Sequence, residues 1–215
     1  MLRGVTTGIT RPNGGGNFCF GFNSTVATTG CAGLYAAQTN FAPEAKGGSI
    51  RGAIRRGASA GPLNFAPMLF IGLAANSVNS IAYILGLDDD DPHRIVLRKG
   101  TLVSGVPAVS VGTQGVLKVG TETFLNDTWL HLRLDSIVNT NGDVILQCYR
   151  SDLAVNPVTA PSWVPVPGCE SFTDDVLHVN SGSAPLLSGY TGFAFFTKDI
   201  SRRGYVDQIE VDRQL

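Results

Sequence analysis

Asp88-Asp89-Asp90-Asp91-Pro92 is the one acidic run in the chain, and clustered carboxylate oxygens on a loop are what a hard cation such as calcium requires. Consecutive aspartates cannot all turn toward one ion, and the run lacks the alternation of a calcium loop. A solvated or intersubunit turn is the preferred reading, with calcium the one metal to test. Cleaving a glycosidic bond needs two carboxylates facing one sugar linkage. The nearest approach is Glu210-Val211-Asp212, which reads as a solvated strand face. Elimination beside a sugar carboxylate uses a His with a Tyr and a supporting Arg or Gln. Gln147-Cys148-Tyr149-Arg150 supplies part of that set, with no histidine at a neighbouring position. No catalytic residues are assigned, and a protein that is not an enzyme is expected.

Binding chemistry is better represented. Trp129, Tyr149 and Trp163 are candidate glycan contacts, because aromatic rings stack on the apolar faces of sugars while keeping a polar edge. Trp163, set in a proline-rich stretch, is the one expected to be exposed. Arg51, Arg55 and Arg56 form one basic stripe and Arg202-Arg203 a second. Without interleaved aromatics these are candidate assembly contacts rather than a nucleic-acid site. A net charge of −1 gives no chain-wide attraction to phosphate backbones or anionic lipid. Neither nucleic acid nor membrane is expected as a partner.

The four cysteines, Cys19, Cys31, Cys148 and Cys169, show no C-x-x-C spacing, and the three histidines, His93, His131 and His178, lie far apart in sequence. Structural zinc is not expected, nor is any other cofactor. The cysteines read as reduced core residues, with Cys19 and Cys31 the pair to check for a bridge. The N-terminal sequence lacks the apolar stretch of a secretory signal, and no segment approaches the roughly 18 apolar residues of a membrane span.

The elements that must position these residues are strands. Gly 26 and Pro 11 among 215 residues are spread from end to end, which suits many short strands joined by turns. With 43% hydrophobic and 15% charged residues the chain can bury a continuous core. In Trp129 to Asp135, Leu130, Leu132 and Leu134 alternate with His131, Arg133 and Asp135, the pattern of a half-buried strand. Asn139-Thr140-Asn141-Gly142-Asp143 then turns the chain into Val144 to Arg150, completing a hairpin. Ser49 to Arg55 alternates likewise, with Ile50 and Ile54 inward. Pro67 to Leu73 and Ile81 to Leu87 are continuous apolar runs, expected as central strands buried on both faces. Four prolines between Asn156 and Gly168 confine that stretch to a connection or an edge. On Tyr205 to Val211, alternation places Tyr205, Asp207, Ile209 and Val211 on one face. Asp207 there should be a structural carboxylate, paired or hydrogen-bonded.

From about Ile50 onward the order of elements resembles the concanavalin-like lectin and glucanase superfamily, which includes laminin-G-like modules. The likeness is carried by Trp129 to Asp135, the Asn141-Gly142 hairpin into Tyr149, and the closing pair Gly189 to Phe195 and Tyr205 to Val211. It implies an all-β, two-sheet antiparallel jelly-roll β-sandwich whose last strand returns beside the first. The expected organisation is one domain over 1–215, with 1–45 a less regular segment that completes the sandwich or contacts neighbours. The Glu-x-Asp-x-x-Glu acids of the family's glucanases are missing here. Ile95 to Gly100, in a glycine-rich and lysine-poor chain, is also similar to jelly-roll structural proteins of tailed bacteriophages. This implies a virion protein made in the host cytoplasm, a capsid decoration, tail or baseplate module acting through assembly with itself and other virion proteins. The alternative is a carbohydrate-binding, lectin-like module for host-surface attachment, and a polysaccharide-cleaving enzyme ranks third.

Overall fold

The computed structural model describes residues 20–23, 30–37, 47–57, 66–73, 80–88, 92–102, 115–151, 162–175, 183–197 and 203–213. These residues form strands β1 (Phe20–Asn23), β2 (Gly30–Ala37), β3 (Gly47–Arg56), β4 (Ala66–Leu73), β5 (Ser80–Leu87), β6 (His93–Leu102) and β7 (Val116–Phe124). They continue with β8 (Trp129–Val138), β9 (Val144–Ser151), β10 (Trp163–Pro165), β11 (Ser171–Asp174), β12 (Tyr190–Thr197) and β13 (Arg203–Arg213), and contain no helix. The strands make two antiparallel sheets. One has the order β1-β13-β3-β8-β9-β10, with β11 also paired to β9, and the other runs β2-β12-β4-β5-β6-β7. The last strand does lie beside the first, through Phe20↔Val206 to Asn23↔Arg203.

Period-two alternation builds the layer between the sheets. Ile50 and Ile54 of β3, Leu130, Leu132 and Leu134 of β8 and Val144, Leu146 and Cys148 of β9 face Leu69, Tyr83, Leu85, Ile95, Leu97 and Phe193 of the other sheet. β4 and β5 carry unbroken apolar runs because both their faces are buried. Met68, Phe70, Ala82, Ile84 and Ala194 form a second buried cluster on the outside of their sheet. The proline-rich stretch yields the three-residue strand β10 at a sheet edge. The hairpin turn is fixed by Asn139, whose Oδ1 accepts the backbone N–H groups of Asn141 and Asp143, both at 2.9 Å, while Gly142 takes φ 86°.

One expected face is corrected. In β13 the register slips between Asp207 and Glu210, where Gln208 adopts φ 51° and Asp207 Oδ1 accepts the Gln208 N–H at 2.9 Å. This β-bulge inserts an unpaired residue and resets the alternation. Val206, Ile209 and Val211 therefore meet the core, while Tyr205 turns outward to pack with Ala53 and Trp129.

A buried ion pair stands between the sheets. Lys99 and Asp174 have fully buried side chains (0% exposed each) and lie 2.6 Å apart. Lys99 Nζ also donates to the carbonyls of Ser183 at 2.6 Å and Ala184 at 2.9 Å, so its three donors meet three acceptors. Tyr83 donates its hydroxyl to Asp174 Oδ2 at 2.5 Å and accepts the Leu186 N–H at 2.9 Å. Burial, then the bond to Asp174, pushes the Tyr83 hydroxyl far above the usual phenol range. Removing one member of such a pair leaves an uncompensated buried charge. Asp174→Ala should cost about 3–5 kcal/mol in urea unfolding, and Lys99→Met with Asp174→Leu should recover most of it. A single-variant loss under about 1 kcal/mol would refute this role.

Candidate functional site

The outer face of the seven-stranded sheet gathers most of the polar and aromatic side chains singled out by sequence. Because Leu130, Leu132 and Leu134 face inward, Trp129, His131, Arg133 and Asp135 of β8 face outward. The same rule presents Gln147, Tyr149 and Ser151 of β9, Arg51 and Arg55 of β3, and Trp163 of β10. Strand register then arranges them in rows. Ala53, His131, Ser151 and Trp163 lie side by side across four strands. Glu210, Arg51, Arg133, Tyr149 and Pro165 form the next row. Asp135 with Gln147 continues the pattern.

Contacts within the rows are specific. The His131 ring meets the Trp163 ring edge-on, with centroids 5.3 Å apart and planes at 63°. The Arg133 guanidinium lies 5.6 Å from the Tyr149 ring centroid and donates to both Asp135 oxygens at 2.7 Å. The hydrogen bond to Asp135 holds Arg133 above its ordinary pKa and so charged. Arg51 pairs with Glu210, and its Nη2 stands 3.9 Å from Asp212. Each guanidinium of the central rows thus has a carboxylate on the same face. His131 is held below the ordinary imidazole pKa, first by burial and then by Arg51, against the opposing pull of Glu210 and Asp207.

Sequence adjacency had left Tyr149 and Gln147 without a histidine. The structure brings His131 to them from the neighbouring strand, since it pairs with Ser151, two residues from Tyr149. Tyr149 and Trp163 are half-buried on the face, whereas Trp129 is buried against Tyr205, with ring centroids 6.5 Å apart. Trp129 therefore supports the face rather than offering a ring to a ligand.

The remaining candidates fall elsewhere. Asp88 is buried, its carboxylate accepting the Arg94 backbone N–H and Nε, both at 2.8 Å, across the β5–β6 connection. Asp89, Asp90 and Asp91 lie outside the described residues. Among the described residues no three His, Cys, Asp or Glu side chains are grouped to hold a metal ion. Arg55 pairs with Asp127 at 2.7 Å. Arg56 is buried and donates to His93 Nδ1 at 3.0 Å and the Asp88 carbonyl at 3.2 Å. A guanidinium only donates, so His93 accepts at Nδ1 and carries its proton on Nε2, facing Asn126 Oδ1 at 2.8 Å. Arg203 lies in β13, and Arg202 falls outside the described residues, as do Cys19 and His178. The backbone of Cys31 lies in β2, while Cys148 and Cys169 are free and buried.

Two antiparallel sheets packed face to face define a β-sandwich domain of the jelly-roll type. No protein-family model matches the chain, and no curated protein is similar to it in sequence. Solved structures align with the chain at low identity. A marine PL-14 alginate lyase from Aplysia kurodai aligns with TM-score 0.50 at 9% identity, over 92% of this chain and 84% of that one. The Emp47p carbohydrate recognition domain gives 0.44 at 9% identity, over 84% and 75%. The CBM2 module of the Lactobacillus casei BL23 phage J-1 evolved Dit gives 0.40 at 13%, over 100% and 89%. At these identities the likeness concerns the fold alone.

The lowered pKa of His131 has a stability consequence with a definite sign. Below about pH 6.5 the unfolded chain takes up a proton at this position that the folded chain resists. Stability should therefore fall as pH drops from 7.5 to 5.5, and more steeply in the wild type than in His131→Gln. Thermal melts across that range check it, and parallel pH profiles for the two proteins would contradict it.

Proposed function

We propose that the chain is a non-catalytic, carbohydrate-binding jelly-roll module of the concanavalin-like kind, which takes a glycan on the outer face of its seven-stranded sheet. The observation that carries this is the alignment of Trp163, His131, Tyr149, Arg133 and Gln147 on adjacent strands, half-buried and facing out. Sugar recognition uses that combination, an aromatic ring for the apolar face of a pyranose beside fixed donors and acceptors for its hydroxyls. The ion pairs Arg133–Asp135 and Arg51–Glu210 hold those donors and acceptors in place. They also balance the charge of the face, which favours a neutral glycan over a polyanionic one. Because these carboxylates are already committed to guanidinium partners, binding rather than hydrolysis of a glycosidic bond is the activity assigned.

The setting we propose is a bacteriophage particle, with the module serving attachment to a host-surface glycan. The likeness of Ile95 to Gly100 and its surroundings to jelly-roll virion proteins supports this setting. The test is a glycan array probed with the intact chain, followed by titration of the best hit. A neutral glycan should bind, and Trp163→Ala should weaken it at least about tenfold. Lys118→Ala, an exposed change on β7 of the other sheet, should leave affinity unchanged. An array without hits, or equal affinity for wild type and Trp163→Ala, would overturn the assignment. Shortening of a bound polysaccharide would overturn its non-catalytic part.

A further inference from the structure

Cys148 and Cys169 are distant in sequence and meet in the core. Cys148 lies in β9, and the turn Val166–Cys169, which joins β10 to β11, wraps around it. The Cys148 N–H donates to the Glu170 carbonyl at 3.0 Å and its carbonyl accepts the Val166 N–H at 2.9 Å. The turn is closed by the Cys169 N–H on the Val166 carbonyl at 2.8 Å. Pro167 and Gly168 occupy its centre, with Gly168 at φ 79°, the arrangement of a type II turn. Both side chains are free, buried and part of the same core cluster.

The two sulfurs are not equivalent. The hydrogen bond between them and, secondly, burial raise the Cys148 thiol well above the ordinary range. The same hydrogen bond lowers Cys169, burial opposing and a backbone hydrogen bond from Leu97 assisting. Cys169 is thus the sulfur that loses its proton more readily, and a thiolate is the attacking species in disulfide exchange.

We propose that Cys148 and Cys169 are a latent disulfide that closes when the protein meets a small-molecule disulfide, fastening the β10–β11 turn to β9. The Cys169 thiolate displaces one thiolate from the oxidant and forms a mixed disulfide. Cys148 then gives up its proton and attacks the Cys169 sulfur, releasing the second thiolate. Two protein thiols are oxidised, and one small disulfide is reduced to two thiols. Access runs through local opening of the turn, which is held to β9 by the short strands β10 and β11 on its two sides and to β7 by the Thr121 N–H on the Pro167 carbonyl.

The experiment treats the full chain with oxidised glutathione, natively and at sub-denaturing urea, quenches with acid, then alkylates under denaturing conditions and maps peptides. The expected product links the Cys148 and Cys169 peptides and raises Tm by about 5–10 °C. Cys148→Ser should abolish both effects, and Cys31→Ser should leave both intact. Persistent alkylation of Cys148 and Cys169 after oxidation of the folded protein would overturn the proposal. So would pairing of either with another cysteine, or a cross-linked protein with unchanged or lower Tm.

Discussion

An ammonium group held between two sheets in an apolar layer tolerates little misplacement, and Lys99 sets that constraint here. Its counter-ion comes from Asp174 at the end of β11, and its other acceptors from Ser183 and Ala184, ahead of β12. Tyr83 on β5 completes the cluster by bonding both Asp174 and Leu186. One side chain thus ties β6 of one sheet to β11 of the other and to the segment that crosses between them. A desolvated charge strongly penalises any register in which one of those acceptors is missing. Hydrophobic burial holds the layers together, and this pair selects how they are aligned.

With the layers aligned, the polar face of the seven-stranded sheet follows from strand pairing. Each inward leucine of β8 sends its neighbours outward, and the Asn139 turn sets which residue of β9 lies opposite each of them. The bulge in β13 performs a related service. By resetting the alternation after Asp207 it keeps Ile209 and Val211 on the core while aligning Glu210 with Arg51. The charged row across β13, β3 and β8 depends on that single irregular residue pair.

The sequence made the sandwich, its half-buried strands and the central position of β4 and β5 legible, because alternation and unbroken apolar runs record burial directly. It made Trp163 and Tyr149 visible as aromatics but hid the site around them. His131 joins Gln147 and Tyr149 only across a hairpin, so linear adjacency concealed it. Counting outward from Val138 and Val144 on either side of the turn would have paired His131 with Ser151. The β13 bulge was not legible because Asp207-Gln208 carries no glycine to mark it. Nothing in the sequence marks Lys99 as buried, because charge ordinarily accompanies exposure and its partner lies on a strand of four residues. The meeting of Cys148 with Cys169 depends on the Val166–Cys169 turn, whose placement a proline count alone does not give.

That turn also governs what the molecule does beside its neighbours. An unpaired sheet edge is a template for another chain's backbone. Here β10 and β11 share the outer side of β9, and the turn between them accepts the Thr121 N–H of β7 through the Pro167 carbonyl at 2.8 Å. Gly168 permits the approach, since a Cβ there would lie 2.9 Å from the Thr121 methyl carbon. The two sheets are thereby joined at this flank by a backbone hydrogen bond as well as by the core. At high local concentration, a neighbouring copy that tried to extend β7 at Thr121 would have to displace a bond the chain already makes to itself, which disfavours continuation of the sheet at that point.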